Sequence, residues 1–227
     1  MSDLLTQPDL DGSAADDRGV RVVRGRVTSS AYRRFGQRCL DLVVGVPVLI
    51  VLSPVMLSVA LAVRLTQGRT VIFRQERLTQ DGRAFTCLKF RTMEPDRRIH
   101  ADDFDGADRR ECHKSDSDPR HTALGRILRK YSLDELPQLF NVVRGDMALV
   151  GPRPEMVSVA TPAFVDHPRH QVKAGMTGPF QLSELRESGR LTDGLALDLD
   201  YVLRQSLRTD LMLLGRTIVF CVRGTGS

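Results

Sequence analysis

Leu42–Val63 reads LVVGVPVLIVLSPVMLSVALAV, 22 residues without a charge, and as a helix it is roughly 33 Å long, close to the hydrocarbon thickness of a bilayer. A membrane helix is therefore the first expectation. Ser53-Pro54 falls in the middle of the run, where the proline removes a backbone hydrogen bond and crowds the preceding turn, so a bend is expected there. Arginines crowd both flanks: Arg21, Arg24, Arg26, Arg33, Arg34 and Arg38 before the run, Arg64, Arg69, Arg74 and Arg77 after it. The positive-inside bias would keep both ends in the cytoplasm. A helix bent at Ser53-Pro54 that enters and leaves by the same face, a re-entrant hairpin, satisfies both observations. A Pro-kinked spanning helix, the commoner case, and a buried core helix of a soluble protein are the other two readings that composition leaves open. Arg38 and Asp41 stand at i, i+3 at the entry, where they can pair or serve as an interfacial anchor.

Working outward, the 227-residue chain is long enough for one domain with a real core. It carries 33 basic against 28 acidic residues, a net charge of +5, which favours anionic partners without choosing among them. Cys39, Cys87, Cys112 and Cys221 lie far apart with no C-x-x-C and no His at ligand spacing, so neither a zinc site nor a disulfide framework is expected and a reducing compartment fits. Met1–Asp17 is acidic and polar, unlike a secretory signal. Residues 1–30 read as a flexible N-terminal segment and 31–227 as a single domain, with the membrane helix at about 40–64.

After the apolar run, two β-rich stretches flank Asp81-Gly82, a strong hairpin signal. In the second stretch alternation puts Lys89 and Arg91 on one face, where two cations can grip a diphosphate, although a charged edge strand is the more frequent explanation of such a pair. Glu94–Ser117 is polar, dense in both charges and aperiodic, the signature of a surface loop or short exposed helix and a possible lid. TALGRILRKY, from Thr122, spaces Leu124, Ile127, Leu128 and Tyr131 as one face of an amphipathic helix, with Arg126, Arg129 and Lys130 on the other.

SLDELPQLFNVVRGDMALVGPRPE, from Ser132, is the most informative stretch. Ser132 and Glu135 have the spacing of a capping box, which leaves Asp134 unexplained and is complicated by Pro137. A carboxylate in a first helical turn, with cations close by, is a workable nucleophile towards phosphorus. Neighbours on a helix point about 100° apart, so Asp134 and Glu135 are expected to have different tasks. Gly151-Pro152-Arg153-Pro154 is a stiff turn presenting one arginine, suited to clamping a phosphate oxygen or simply to turning the chain.

Taken in order, RCLD from Arg38, Ser53-Pro54, FRQERLTQDGRAFTCLKFRTM, DPRHTALGRILRKYSLDELPQLFNVVRGDMALVGPRPE and RHQVKAGMTG resemble the bacterial sugar transferases, the monotopic phosphoglycosyl transferases, from about Arg38 to about Thr217. The resemblance implies a predominantly helical α+β fold: a re-entrant helix-break-helix hairpin, a small cytoplasmic domain with a β-hairpin, and interfacial amphipathic helices. It implies that Asp134 is the nucleophile that takes a phosphosugar from a UDP-sugar with release of UMP, and that polyprenyl phosphate, undecaprenyl phosphate, then accepts it. Glu135 matches the second acid of the dyad, with Mg²⁺ placed at Asp134 and Glu135. Lys89, Arg129 and Arg153 fall on the family's phosphate-binding cations, and Arg91 lies beside them. The chemistry agrees, since phosphoryl transfer between anions needs metal and fixed cations. The location implied is the cytoplasmic face of a bacterial inner membrane, among its phospholipids, at the first membrane step of exopolysaccharide, capsule, O-antigen or glycoprotein glycan assembly.

Gln37 stands where a lysine is commoner, and Ala174 and Phe180 replace a commoner proline and tryptophan. The tail from Leu191 to Gly226 carries LMLLGRTIVFCV, too short to span and interrupted by Arg216, so an interfacial helix is expected. No multi-span domain precedes the match, as in the small, catalytic-domain-only form of the family. A silent membrane scaffold is the alternative, but it predicts a lost dyad or lost cations, and both are present. A nucleic-acid partner is disfavoured: the chain has no Trp and 3 Tyr to stack on bases. The sugar, the pathway, the acceptor length and the oligomeric state are not encoded in these motifs.

Overall fold

The apolar run forms the middle of one long helix, α1 (Gln37–Gln67), continuous in hydrogen bonding with a π-helical turn at Tyr32–Gly36 before it. A computed structural model of the chain describes residues 31–93, 122–183 and 194–224; the N-terminal segment to residue 30, Cys112 and the expected loop at 94–117 lie outside the described residues. Among those described, Tyr32–Gln67 is the one helix long and apolar enough to cross a membrane, with a mean hydropathy of 2.5 over an 18-residue stretch. Pro47 and Pro54 both sit inside it. Pro54 has no N–H for the carbonyl of Ile50, and the hydroxyl of Ser53 donates to that same carbonyl at 2.7 Å, which explains why a serine precedes the proline in an apolar setting.

One stripe of α1 is buried against the rest of the protein: Asp41, Gly45, Met56, Val59 and Val63, with Val48 and Leu52 partly so. The opposite face is greasy and bare, with Val43, Val51, Leu57 and Leu65 each 71–76% exposed. Both ends of α1 are tied to the same body. At the start, Gln37 Nε2 donates to Val150 O (3.0 Å), and Arg38 donates to the carbonyls of Val142 (2.7 Å) and Val143 (2.6 Å). Asp41 accepts from the Leu149 amide at 2.8 Å. At the far end, Gln67 Nε2 donates to Thr122 Oγ1 at 3.2 Å and Val63 is wholly buried. Of the two readings of Arg38 and Asp41, mutual pairing or an interfacial anchor, the hydrogen bonds show neither: a helix C-terminus and a strand edge each needed a partner, and those backbone groups take the two side chains.

β1 (Ile72–Leu78) and β2 (Ala84–Phe90) form the antiparallel hairpin expected at Asp81-Gly82, where both residues adopt positive φ (57° and 67°). β2 ends one residue before Arg91, whose amide still donates to Val71 O at 2.9 Å. The other edge of β1 is held by Glu155 and Met156, through Leu78 N–H to Glu155 O (2.8 Å) and a bridge from Arg77 to Met156. α2 (Ala123–Lys130) is capped by Thr122 Oγ1, which accepts from the Gly125 amide at 2.9 Å. Its expected apolar face is split: Leu128 is buried, whereas Ile127 is 56% and Tyr131 42% exposed.

α3 (Gln138–Arg144) leads through Gly145 into β3 (Ala148–Val150), which pairs in parallel with β4 (Gly175–Thr177). Between them lie the short helix α4 (Pro162–Val165) and a 3₁₀ turn at Pro168–Gln171. The glycines of the turn and of β4 are required by contact: a Cβ on Gly175 would lie 2.0 Å from Gly151 N, and one on Gly178 2.0 Å from Gly151 O. That approach clamps the Gly151–Pro154 turn onto β4. α5 (Leu195–Arg204) and α6 (Leu207–Arg223) close the fold. The carboxylate of Asp210, wholly buried, accepts from Tyr32 OH (2.6 Å) and Tyr201 OH (2.8 Å), joining α6 to the foot of α1. α6 buries Asp210 and Leu213 and turns Leu211, Met212, Ile218 and Val222 outwards.

Candidate active site

The chain leaves α2 through Ser132, whose left-handed backbone (φ 55°, ψ 23°) is unusual for a residue with a side chain and costs about 1–2 kcal/mol. This kink swings Leu133–Glu135 into a single 3₁₀ turn and ends the capping-box expectation. The Ser132 side chain makes no cap, and Glu135 is turned towards β2. Pro137, not Ser132, precedes the helix that follows. Its ring fits the entry to α3 but not the interior of a helix started at Ser132.

Glu135 Oε1 receives a hydrogen bond from Lys89 Nζ at 2.5 Å, with the two side chains 25% and 20% exposed. Burial by itself raises the Glu135 carboxyl, but Lys89, Arg153 and Arg77 outweigh it and hold the group below the usual carboxylate range. Asp134 behaves in the opposite sense. It is 8% exposed, and burial, reinforced by the charge of Glu135, pushes it above the ordinary value against the pull of Lys89 and Arg129. The two adjacent carboxylates therefore differ in proton affinity.

The cleft in front of Glu135 is lined by Arg77, Lys89, Gln138, Arg153, Met176 and Gln181 among others. Arg153 is held from behind by its own backbone: its carbonyl accepts from Arg169 Nη2 at 2.7 Å, and Arg169 forms a buried ion pair with Asp198 at 2.6 Å. Arg77 donates to Pro154 O at 2.9 Å and lies 3.9 Å from Glu155. Cys87 also faces the cleft, and burial pushes its thiol up, which keeps it from acting as a thiolate.

Of the residues singled out in the sequence, the structure brings together Lys89, Arg129, Asp134, Glu135 and Arg153. Arg91 is not among the residues lining the cleft; it follows the last residue of β2, and its Nε is buried without a hydrogen-bond partner. Arg77 takes its place. The sequence offers the signal for this, because the hairpin register sets Phe73, Gln75 and Arg77 opposite Lys89, Cys87 and Phe85, on one face. Ser53 and Pro54 belong to α1 and not to the cleft. Among the described residues no cluster of three or more His, Cys, Asp or Glu side chains could hold a metal by itself.

The profile of the family described as bacterial sugar transferase matches residues 32–224. The exopolysaccharide production protein ExoY of Sinorhizobium fredii is 35% identical over 203 residues, covering 84% of this chain and 87% of that protein. The UDP-glucose:undecaprenyl-phosphate glucose-1-phosphate transferase of Xanthomonas campestris is 36% identical over 208 residues, 88% of this chain and 41% of its own. The undecaprenyl-phosphate galactose phosphotransferase of Salmonella typhimurium is 37% identical over 202 residues, 86% of this chain and 42% of its own. A match running from the foot of the apolar helix to the end of α6, with relatives at this identity, means that the chain belongs to the bacterial sugar transferase family.

Proposed function

We propose that this protein transfers a sugar-1-phosphate from a UDP-sugar to polyprenyl phosphate, undecaprenyl phosphate being the carrier its relatives' names print, as an early membrane step of exopolysaccharide or related glycan assembly. The observation that carries the reading is the adjacent carboxylates of Asp134 and Glu135, with Glu135 lining a cleft of Lys89, Arg77 and Arg153 and with Lys89 and Arg129 acting on Asp134, on a body fixed to a greasy helix.

A carboxylate oxygen of Asp134 attacks the phosphorus that bears the sugar. The bond from that phosphorus to the bridging oxygen breaks, and UMP leaves with the electron pair. An oxygen of polyprenyl phosphate then attacks the same phosphorus, breaks its bond to Asp134, restores the carboxylate and yields the polyprenyl diphosphate sugar. Lys89 and Arg153 hold the phosphate oxygens, while Arg129 offsets the burial of Asp134. Mg²⁺, held by Asp134 and Glu135 with the donor's phosphates, would neutralise charge on the diphosphate. Because both glucose- and galactose-named relatives lie at similar identity, the sugar is left to a donor panel.

The same reading makes α1 a re-entrant helix of a monotopic protein on the cytoplasmic leaflet. Supporting it, Arg38 near one end and Gln67 at the other bond to a single body, which can occupy only one side of a bilayer. The backbone stays helical across Ser53-Pro54, so the bend required is a flexure within α1, with Ile50's freed carbonyl already satisfied. The bare apolar faces of α1 and α6, with exposed Ile127 and Tyr131, supply the lipid contact.

Pure protein with Mg²⁺ and a UDP-sugar panel, given no acceptor, should release UMP and carry a phosphosugar on Asp134 by mass spectrometry. Asp134→Asn should abolish turnover and leave membrane association intact. Wild-type rates in that variant, or an adduct on another side chain, would overturn the mechanism.

A further inference from the structure

Asn141 is wholly buried at the middle of α3, and none of the chemistry above uses it. Its side-chain amide lies against the free edge of β2, the edge that β1 does not pair. There Nδ2 donates to Thr86 O at 2.8 Å, and Oδ1 accepts from the Leu88 amide at 3.0 Å. Nδ2 also donates to Asp146 Oδ2 at 3.0 Å. The orientation of the amide is fixed, since reversing it would set oxygen against oxygen at Thr86 and N–H against N–H at Leu88. In effect a single side chain stands in for one residue of a third strand.

Its place in the sequence gives this clasp a consequence. Leu88 is followed directly by Lys89, and Asn141 lies less than two turns beyond Glu135. Two short covalent connections thus lead from the clasp to the two partners of the 2.5 Å Lys89–Glu135 contact. β2 and the turn carrying the dyad are separate elements, and a slide of β2 along α3 would open that contact first. We propose that Asn141 is a positioning residue for the sugar-phosphate transfer: by bridging Thr86 and Leu88 to α3, it sets the distance between Lys89 and Glu135. The inference rests on the reading of Lys89 and Glu135 as active-site groups, but the clasp can be tested without turnover.

Asn141→Ser keeps a small polar group and removes the two-point bridge. The Leu88 amide should exchange with solvent slowly in the wild type and fast in the variant. The Lys89 ammonium protons, held against Glu135 in the wild type, should exchange with water faster in the variant, read by ¹⁵N NMR. In the transfer assay kcat/KM should fall on the order of 10- to 100-fold. Leu139→Ala, which removes a buried core side chain two residues away in α3, is the control: it should lower the melting temperature and leave the Lys89 ammonium exchange in place. If Asn141→Ser does not fold, Asn141→Asp, of the same shape but with like-charged Asp146 beside it, takes its place. Fast exchange of Leu88 in the wild type, or unmoved Lys89 ammonium exchange in a folded variant, overturns the proposal. Absence of UMP release from every donor by the wild type, with the exchange results as expected, would instead discard the transferase reading and keep the clasp.

Discussion

Replacing Lys89 by glutamine removes the positive charge that touches Glu135 at 2.5 Å while keeping a side chain of similar reach. Hydrogen bonds to charged groups contribute about 1.5–3 kcal/mol, and both side chains here are largely shielded from water, so the full range applies. At 1.4 kcal/mol per decade this is about 10- to 150-fold in kcat/KM. The pH dependence gives a second, independent reading. Lys89 favours the ionised form of Asp134 as well as of Glu135, so its loss raises both. A carboxylate held low keeps its charge until the pH falls through its folded value; without Lys89 that point is reached sooner on acidification. The acid limb of kcat/KM therefore moves to higher pH in Lys89→Gln. UMP release measured across the acidic range with Mg²⁺, donor and polyprenyl phosphate reads both effects. Lys89→Arg should return the limb most of the way but not the rate, since a planar fork does not replace a compact ammonium. A Lys89→Gln enzyme with its acid limb unmoved would refute the electrostatic account of the dyad.

Asp198→Asn should cost about 3–5 kcal/mol, because it strands the buried guanidinium of Arg169, and an unchanged denaturation midpoint in detergent would contradict this. Ser53→Ala leaves the Ile50 carbonyl without its donor and should cost about 1–3 kcal/mol in an apolar medium. Ser53→Thr, which keeps the hydroxyl, should melt like the wild type. His167 and His170 are held neutral down to about 4, first by burial and then by Arg169, whereas the unfolded chain protonates them below about 6.5. Over that interval the unfolded state binds more protons, so stability declines as the pH drops. The His167→Asn/His170→Asn double variant should show a shallower decline than the wild type, and equal slopes would rule out these histidines as its cause.

The hairpin was legible because Asp81-Gly82 encodes its turn locally, in two residues that tolerate positive φ. The convergence of Lys89, Arg129, Arg153 and the dyad was legible only as a motif set, since no local pattern says that β2, α2 and the Gly151 turn meet. Where the reading failed, a tertiary partner outbid a local one. Glu135 forms an ion pair with Lys89 and so does not close a capping box with Ser132; Arg38 caps the carbonyls at the end of α3 and so does not pair with Asp41. Among the arginines that follow the apolar run, Arg77 lines the cleft, because the register of the hairpin sets it on the face of Lys89. β3 and β4, three residues each, are too short for a period of two to be seen. Pro47, a second proline inside the apolar helix, follows Val46 and has no hydroxyl beside it as Pro54 has in Ser53.

The hydroxyl of Tyr32 and the carboxylate of Asp210, 178 positions apart, meet at 2.6 Å. During synthesis the greasy helix leaves the ribosome long before its partners at Val142, Val143, Leu149 and Val150 exist, and longer still before Asp210, so its foot is tied in stages as the polypeptide is made. Nascent chains halted ahead of Val142 would carry the helix with no tie at its foot, and it is these unfinished products, rather than the mature protein, that quality-control proteases should meet first.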